Sequence, residues 1–252
     1  MQFGVCGGPE IGQVAKATGY DYFEWSVSGL LHPLEGDEVF QEALAEVKAV
    51  GLPCPVVNVF IPGAMKITGP EVNHPALQSY VTTALCRAEI AGVAMIVFGS
   101  GAARRIPEGV ERQLAWDQLV EFCAWLAPAA EQHGVTIALE PLNVAESNII
   151  NTVEEGARLV QQVNHPHLRL LVDGYHWAKD QNCASGIIEN GDLLVHTHVA
   201  TVEGRRPPHP GDTCQAFFAA LRQAGYKGRV SIEGQIEVPA EELPVSLRIM
   251  RS

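Results

Sequence analysis

The sequence predicts an α/β fold in which the whole chain, residues 1–252, forms a single-domain (β/α)8 barrel. Short apolar runs alternate with longer helical segments from one end to the other, and no low-complexity linker separates them. The runs at 96–98, 137–139 and 170–172 are apolar at successive positions, as strands of a parallel sheet covered by helices are. Eight strands alternating with about eight helices in about 250 residues match such a barrel.

The predicted strands follow one another at regular spacing. They lie at 2–6, 22–27, 56–61, 94–98, 136–140, 169–173, 194–199 and 229–233. An open, doubly wound sheet is the alternative arrangement of the same elements. The chain lacks the G-x-G-x-x-G and G-x-x-x-x-G-K-[ST] motifs of nucleotide-binding sheets of that kind, so the closed barrel is favoured.

Helix signals fill the intervals between the strands. The clearest helix is predicted at 110–133, where Leu119, Phe122 and Leu126 recur at helical spacing. The T-x-x-E pattern from Thr152 to Glu155 has the form of a capping box and predicts the start of the next helix. Glycines at the predicted helix ends precede the following strands, at Gly51, Gly92, Gly134 and Gly225.

Composition excludes several classes of function. The chain has 17 Lys and Arg against 29 Asp and Glu, a net charge of −12, which disfavours nucleic acid and anionic membrane surfaces as partners. Its six cysteines form no C-x-x-C pair, as is typical of free thiols in a reducing compartment. No leader pattern or long apolar stretch is present. We therefore expect a cytoplasmic protein.

A metal-capable side chain ends each of the last four predicted strands: Glu140, Asp173, His198 and Glu233. One carboxylate at a strand end is typical of a helix cap or an ion pair. Four metal-capable groups at successive strand ends have a different meaning. The carboxyl ends of the strands converge on one mouth of the barrel, where gathered carboxylates repel one another without a cation. The pattern therefore predicts a divalent metal site.

Three carboxylates and one imidazole suit a hard or borderline divalent ion with positions left for substrate oxygens. Mn2+ is the first choice, and Mg2+, Co2+ and Zn2+ are alternatives. His196 lies two residues before His198, and a regular strand would point it to the same face. It is the alternative imidazole ligand.

Four motifs resemble the xylose-isomerase-like TIM-barrel superfamily, in particular its sugar phosphate isomerase/epimerase branch. They read A-L-E-P-L-N at 138–143, V-D-G-Y-H at 172–176, H-T-H-V-A at 196–200 and S-I-E-G at 231–234. The branch includes the D-tagatose and D-psicose 3-epimerase and hydroxypyruvate isomerase families, and the resemblance covers nearly the whole chain. It implies the same four metal ligands, Glu140, Asp173, His198 and Glu233.

The resemblance also implies roles for single residues. Glu140 and Glu233 would be the two acid/base groups, and Glu146, His176 and an arginine would bind the substrate. The arginine is Arg205 or Arg206, with Arg205 preferred. Here the epimerases resemble one another in an Asn-Pro-Gly-Arg stretch, whereas this chain reads T-V-E-G-R-R at 201–206. Relatives of this kind imply a homodimer or homotetramer.

The implied function is a metal-dependent sugar isomerase or epimerase that abstracts a proton α to a carbonyl through a metal-stabilised enediolate. Ketose 3-epimerisation and aldose–ketose isomerisation are the leading reactions on a small sugar or keto-polyol. A lyase or dehydratase on a keto-polyol or inosose is the enzymatic alternative. Two remoter alternatives are a nuclease resembling endonuclease IV and a sugar-binding barrel without catalysis.

Other polar residues near predicted strand ends allow two interpretations. Glu24 and Trp25 fit a place at the mouth and a structural role equally well, whereas core or rim packing is favoured for Asn58 and Phe60. The glycine turn at 99–101 with Arg104 and Arg105 could bind an anion, but a tight turn with solvated arginines is favoured. A solvated loop position is likewise favoured for Lys66.

Overall fold

The computed structural model describes all 252 residues. Eight parallel strands, β1 to β8, pair in chain order, and β8 closes the barrel against β1. The predicted fold is therefore confirmed. The strands are Gln2–Cys6, Tyr22–Ser26, Val56–Asn58, Met95–Phe98, Thr136–Leu139, Leu168–Asp173, Leu194–Val199 and Arg229–Ile232.

Eleven helices follow the strands or extend the loops between them. They are α1 Pro9–Thr18, α2 Val27–Leu30, α3 Asp37–Val50, α4 His74–Ala91, α5 Gly101–Arg104, α6 Arg112–Gln132, α7 Val153–Val163, α8 Gly174–Lys179, α9 Ala184–Glu189, α10 Cys214–Gln223 and α11 Pro239–Arg251. None combines the length and apolarity that a membrane crossing requires.

The local signals in the sequence determine where the helices begin and end. The Thr152 side chain accepts a hydrogen bond from the amide of Glu155 and caps α7. Helices α3 and α4 end at Gly51 and Gly92, both in the left-handed conformation that glycine adopts without strain. Within α6, Leu119 and Leu126 are fully buried, as the helical spacing predicts.

The third strand is shorter than predicted. It ends at Asn58, because Val59 has a φ of 54° and turns the chain out of the sheet. A β-branched residue in this region is strained by about 1–3 kcal/mol. The turn leaves Phe60 fully buried, where it packs edge-on against Phe98.

The interior of the barrel has an apolar half and a polar half. On β3 to β6 the inward positions form a small apolar cluster that includes Val56, Val97 and Leu171. A separate core of 62 buried residues lies mainly between the strands and the helices. On β2 and β7 the inward positions hold Glu24 and His196, both completely buried. This polar half continues upward into the mouth of the barrel.

Candidate active site

The four predicted metal-binding side chains lie together at the carboxyl ends of the strands. Glu140 and Glu233 directly follow β5 and β8, Asp173 is the last residue of β6, and His198 lies near the end of β7. His198 Nδ1 is 3.5 Å from Glu140 Oε1 and 3.7 Å from Glu233 Oε2. Asp173 lies on the other side of Glu140, in a cluster with His176 whose candidate ligand atoms are all within 4.8 Å of one another.

Crowding of the carboxylates shifts their proton affinities. Burial, followed by the charges of Glu233 and Glu140, raises the pKa of Asp173 to about 8. Burial also raises the pKa of Glu233. For Glu140 burial acts in the same direction, but the neighbouring His198 outweighs it and the pKa is lowered. The two glutamates therefore differ in proton affinity, with Glu140 the better candidate for the ionised base.

These residues fit a divalent cation. Glu140 Oε1 and His198 Nδ1 are buried, face each other and have no hydrogen-bond partner. Buried polar atoms are almost always partnered, so this pair of unpartnered polar atoms beside two more carboxylates fits a positively charged ligand. Asp173 contributes one free oxygen, because its Oδ1 already accepts from the amide of Tyr175 at 2.9 Å.

The Glu24 carboxylate binds the Nε2 atom of His198 and so orients the imidazole. The sequence alone leaves the role of Glu24 undecided. One oxygen of Glu24 is 3.0 Å from His198 Nε2 and the other is 2.9 Å from His196 Nε2. Ser231 donates a further hydrogen bond of 2.8 Å to this carboxylate. Since Nε2 of His198 carries the hydrogen toward Glu24, Nδ1 is the atom left to bind a cation, the arrangement by which proteins orient histidine ligands.

The two candidate imidazoles therefore have different places. His198 reaches the mouth, whereas His196 lies on the same carboxylate but deeper in the barrel, beside Tyr22. Burial opposes protonation of both imidazoles and lowers the pKa of His196, whereas the charges of Glu24 and Glu233 raise the pKa of His198 well above its ordinary value. The geometry favours His198 over His196 as the ligand.

Arg205, and not Arg206, faces the site. Its guanidinium contacts the Glu233 carboxylate, lies 3.5 Å from Asp173 Oδ2 and 3.7 Å from Glu146 Oε1. Its neighbour Arg206 points away and pairs with two surface glutamates. The turn that directs Arg205 inward uses a φ of 48° at that residue.

The glycine of the S-I-E-G motif has a steric reason. A Cβ on Gly234 would lie 2.4 Å from the carbonyl oxygen of Arg205, so only glycine allows the loops after β7 and β8 to approach this closely. The amide of Gln235 donates to that same carbonyl at 2.7 Å. Gly234 thus fixes the loop that carries the site arginine.

Glu146 and His176 form the polar wall beside Arg205. The Asn143 side-chain amide donates to Glu146 Oε1 at 2.9 Å and lies 2.6 Å from His176 Nδ1. His176 Nε2 is therefore the protonated nitrogen, and it lies 3.4 Å from Asp173 Oδ2. Asn143 is completely buried and belongs to the A-L-E-P-L-N motif, but no separate sequence signal indicates its role.

Three residues differ from the favoured interpretations of the sequence. Asn58 does more than pack in the core or at the rim, because its side-chain amide donates to Glu233 Oε1 at 3.2 Å. Arg104 is not solvated: it is fully buried and donates to the carbonyl of Glu140 at 2.8 Å, because α5 begins directly after β4 and directs this side chain beneath the loop after β5. Lys66 is not a free loop lysine, since its ammonium donates to the carbonyls of residues 63 and 102.

These elements enclose a cleft of about 310 Å³ at the mouth. Its polar side is formed by residues that follow β5 to β8, including Glu140, His176 and Arg205. The other side follows β3 and β4 and is formed by apolar and small residues. An enclosure of this size and mixed polarity is typical of a small-molecule site.

Comparison with known proteins identifies the family of this barrel. A family model described as xylose isomerase-like TIM barrel matches residues 13–252. The chain belongs to this family. The resemblance inferred from the four motifs is therefore confirmed.

Among the curated relatives of this xylose isomerase-like barrel is a 3-dehydro-D-guloside 4-epimerase of Escherichia coli, 28% identical over 94% of this chain and 91% of the relative. An L-ribulose 3-epimerase of Methylomonas is 29% identical over 87% of this chain and 75% of the relative. The solved 3-keto-D-glucoside 4-epimerase of E. coli superposes with a TM-score of 0.80 at 25% identity, over 100% of this chain and 99% of that one. The protein is thus a sugar isomerase or epimerase with small-molecule sugar substrates.

Proposed function

We propose that this protein is a divalent-metal-dependent epimerase that inverts a stereocentre next to the ketone of a sugar. The observation that carries the proposal is that Glu140 Oε1 and Glu233 Oε2 both lie close to His198 Nδ1, at 3.5 and 3.7 Å. They follow β5 and β8, which lie on different sides of the barrel mouth. A sugar bound between them would present opposite faces of one carbon to the two carboxylates.

Two carboxylates in this arrangement can exchange a proton with inversion. The ionised carboxylate removes the hydrogen from the carbon next to the ketone, and the electron pair of that C–H bond moves toward the ketone oxygen. The second carboxyl group then returns a proton to the opposite face of the same carbon. The opposite shifts in the pKa values of Glu140 and Glu233 suit this division of roles.

The carbon acid is too weak to react without help at the ketone oxygen. A divalent cation held by Glu140, Asp173, His198 and Glu233, with Mn2+ as first choice, would polarise the ketone and stabilise the negative charge that develops on its oxygen. Around it, Arg205 and His176 can donate hydrogen bonds to substrate oxygens. Glu146 can accept a hydrogen bond from a hydroxyl group.

Epimerisation is preferred to aldose–ketose isomerisation because the relatives that align over most of the chain are epimerases. In one the inverted carbon is C3 of a ketose, and in the other it is C4 of a keto-glycoside, as their names state. Both carbons stand next to a ketone. The same removal of a proton would start the reaction in either case.

The test is product analysis with protein loaded with Mn2+ and with chelator-treated protein. Candidate substrates are D-psicose, D-tagatose, L-ribulose, hydroxypyruvate and a 3-keto-D-glucoside. We expect the epimer of at least one compound from the loaded protein and a large loss of turnover after chelation. A new enone absorbance without an epimer would identify a dehydratase instead. No turnover of any compound by protein shown to hold its metal would refute the proposal.

A further inference from the structure

The cleft has two chemically different halves. On one side Glu140, Glu146, His176, Arg205 and Glu233 offer donors and acceptors. The opposite side, after β3 and β4, consists of Val59, Ile61 and Pro62 with the small residues at 63 and 99–102. Apart from the Ser100 hydroxyl, this second side has no polar side chain, and that hydroxyl already accepts from the amide of Ile61 at 2.9 Å.

No cationic side chain that lines the cleft is left unpaired to bind a phosphate group. Arg205 is the lining cation and is already in contact with Glu233, Asp173 and Glu146. Lys66 does not line the cleft, and its ammonium donates to the backbone carbonyls of Gly63 and Ala102. The divalent cation proposed for the site would be held by four protein ligands and would polarise the ketone, so the cleft offers a phosphate no further positive charge to pair with. This arrangement favours an uncharged substrate.

Val59 is held over the apolar half by the fold. Asn58 before it points to Glu233, and Phe60 after it points into the core, where its carbonyl accepts from the Tyr80 hydroxyl at 2.7 Å. The left-handed backbone at Val59 turns the chain between these two positions. Its own side chain is left 59% exposed at the cleft, an apolar contact surface without a partner.

From this geometry we infer that the substrate is an uncharged keto-glycoside whose aglycone packs against Val59, Ile61 and Pro62. This inference rests on the proposed function. The keto-sugar occupies the polar half, where its ketone and hydroxyl groups find partners. The far hydroxyl groups of an open-chain ketose would instead lie against the apolar half and lose hydrogen bonds to water without replacement. An apolar aglycone makes no hydrogen bonds to water and therefore loses none when it packs against this half.

The glycoside name of the relative that aligns over 94% of this chain points in the same direction. Val59 would then be a specificity-determining residue. Val59→Asn is the informative substitution, because asparagine tolerates the left-handed backbone and replaces the apolar surface with a polar one. Val238→Asn is the matched control: Val238 is also exposed, at 46%, but follows β8 and is not part of the cleft wall.

The experiment measures kcat/KM for exchange of the proton next to the ketone in four compounds with the metal-loaded protein. They are methyl and p-nitrophenyl 3-keto-D-glucoside, D-psicose and D-psicose 6-phosphate. We expect kcat/KM for the aryl glycoside to be about tenfold higher than kcat/KM for the methyl glycoside, because the aryl group can bury a few more apolar carbons. Both should exceed the free ketose, and the phosphate should be the poorest. Val59→Asn should reduce the aryl-to-methyl ratio severalfold, and Val238→Asn should leave it unchanged.

Different failures have different meanings. Equal values for the two glycosides in the wild-type protein would overturn the aglycone subsite and leave the proposed epimerase intact. Faster exchange of D-psicose or its phosphate would overturn the substrate class in the same way. No exchange in any compound would refute the proposed function itself. Because the wild-type comparison is sufficient, the inference stays falsifiable even if Val59→Asn fails to fold.

Discussion

Replacement of Glu24 by glutamine should weaken cation binding even though Glu24 does not reach the cation. The Glu24 carboxylate accepts from both His196 and His198, at 2.9 and 3.0 Å, and from Ser231 at 2.8 Å. Glutamine has one acceptor oxygen and one amide group that only donates. One of the two imidazoles would therefore face a donor where it now has an acceptor.

The size of the effect follows from this geometry. Loss of the group that orients a histidine ligand typically lowers metal affinity by about 10- to 100-fold, which corresponds to about 1.4–2.8 kcal/mol of binding free energy. The network is completely buried, so no water can replace the lost acceptor. Glu24→Gln should also lower the free energy of unfolding of the metal-free protein, by about 3 kcal/mol.

Isothermal titration of the chelator-treated protein with Mn2+ measures the first quantity, and urea unfolding measures the second. Tyr22→Phe is the matched control, because the Tyr22 hydroxyl is hydrogen-bonded to Ser231 at 2.8 Å and makes no hydrogen bond to Glu24. Its Mn2+ affinity should stay within about twofold of wild type. A folded Glu24→Gln protein with wild-type Mn2+ affinity would refute the argument that Glu24 sets the orientation of His198.

Three further outcomes are expected. From about pH 6.5 to 8, the metal-free protein should lose about 2 kcal/mol of unfolding free energy, because folded Asp173, with a pKa of about 8, keeps a proton that the unfolded chain, with an ordinary pKa of 3.8, has released. The raised pKa of His198 also makes the free energy of unfolding fall as the pH rises. A free energy of unfolding that stays constant or rises over this pH range in urea titrations would contradict the prediction. Arg205→Met should reduce kcat/KM for substrate by about 100-fold or more in steady-state assays. Arg206→Met alters only surface ion pairs and should change kcat/KM by less than about threefold. Similar losses of kcat/KM in the two variants would show that the loop presents both arginines to the substrate. Val59→Asn should raise the free energy of unfolding by about 1 kcal/mol because it relieves a β-branched residue at a φ of 54°, and a lower value in urea would argue against strain at this turn.

The strands and the four strand-end groups could be predicted because both depend on local pattern. Runs apolar at successive positions require cover on both faces, and the topology then brings the carboxyl end of every strand to one mouth. Glu140, Asp173 and Glu233 needed no knowledge of their partners to be placed there. Only their position relative to the end of an apolar run was required.

The residues that the sequence placed wrongly or left open depend on partners far along the chain. Glu24 became interpretable only when β2 and β7 faced each other across the barrel. Arg104 looks solvated because it precedes Arg105 in a glycine-rich turn, but its burial is decided by the loop after β5, whose Glu140 and Ile150 carbonyls it reaches. Asn58 points inward by the same strand alternation as Val56, but its partner Glu233 lies 175 residues further along the chain.

The most direct test of the account is exchange of the substrate proton with solvent deuterium, followed by NMR. The metal-loaded protein is incubated in D2O with a keto-sugar that it epimerises, and the same measurement is made on Glu140→Gln and Glu233→Gln after each has been shown to hold Mn2+. We expect the wild-type protein to remove the C–H signal next to the ketone and each variant to lose epimerisation by at least about 1000-fold. Wild-type rates of epimerisation in either metal-loaded variant would contradict the two-glutamate mechanism.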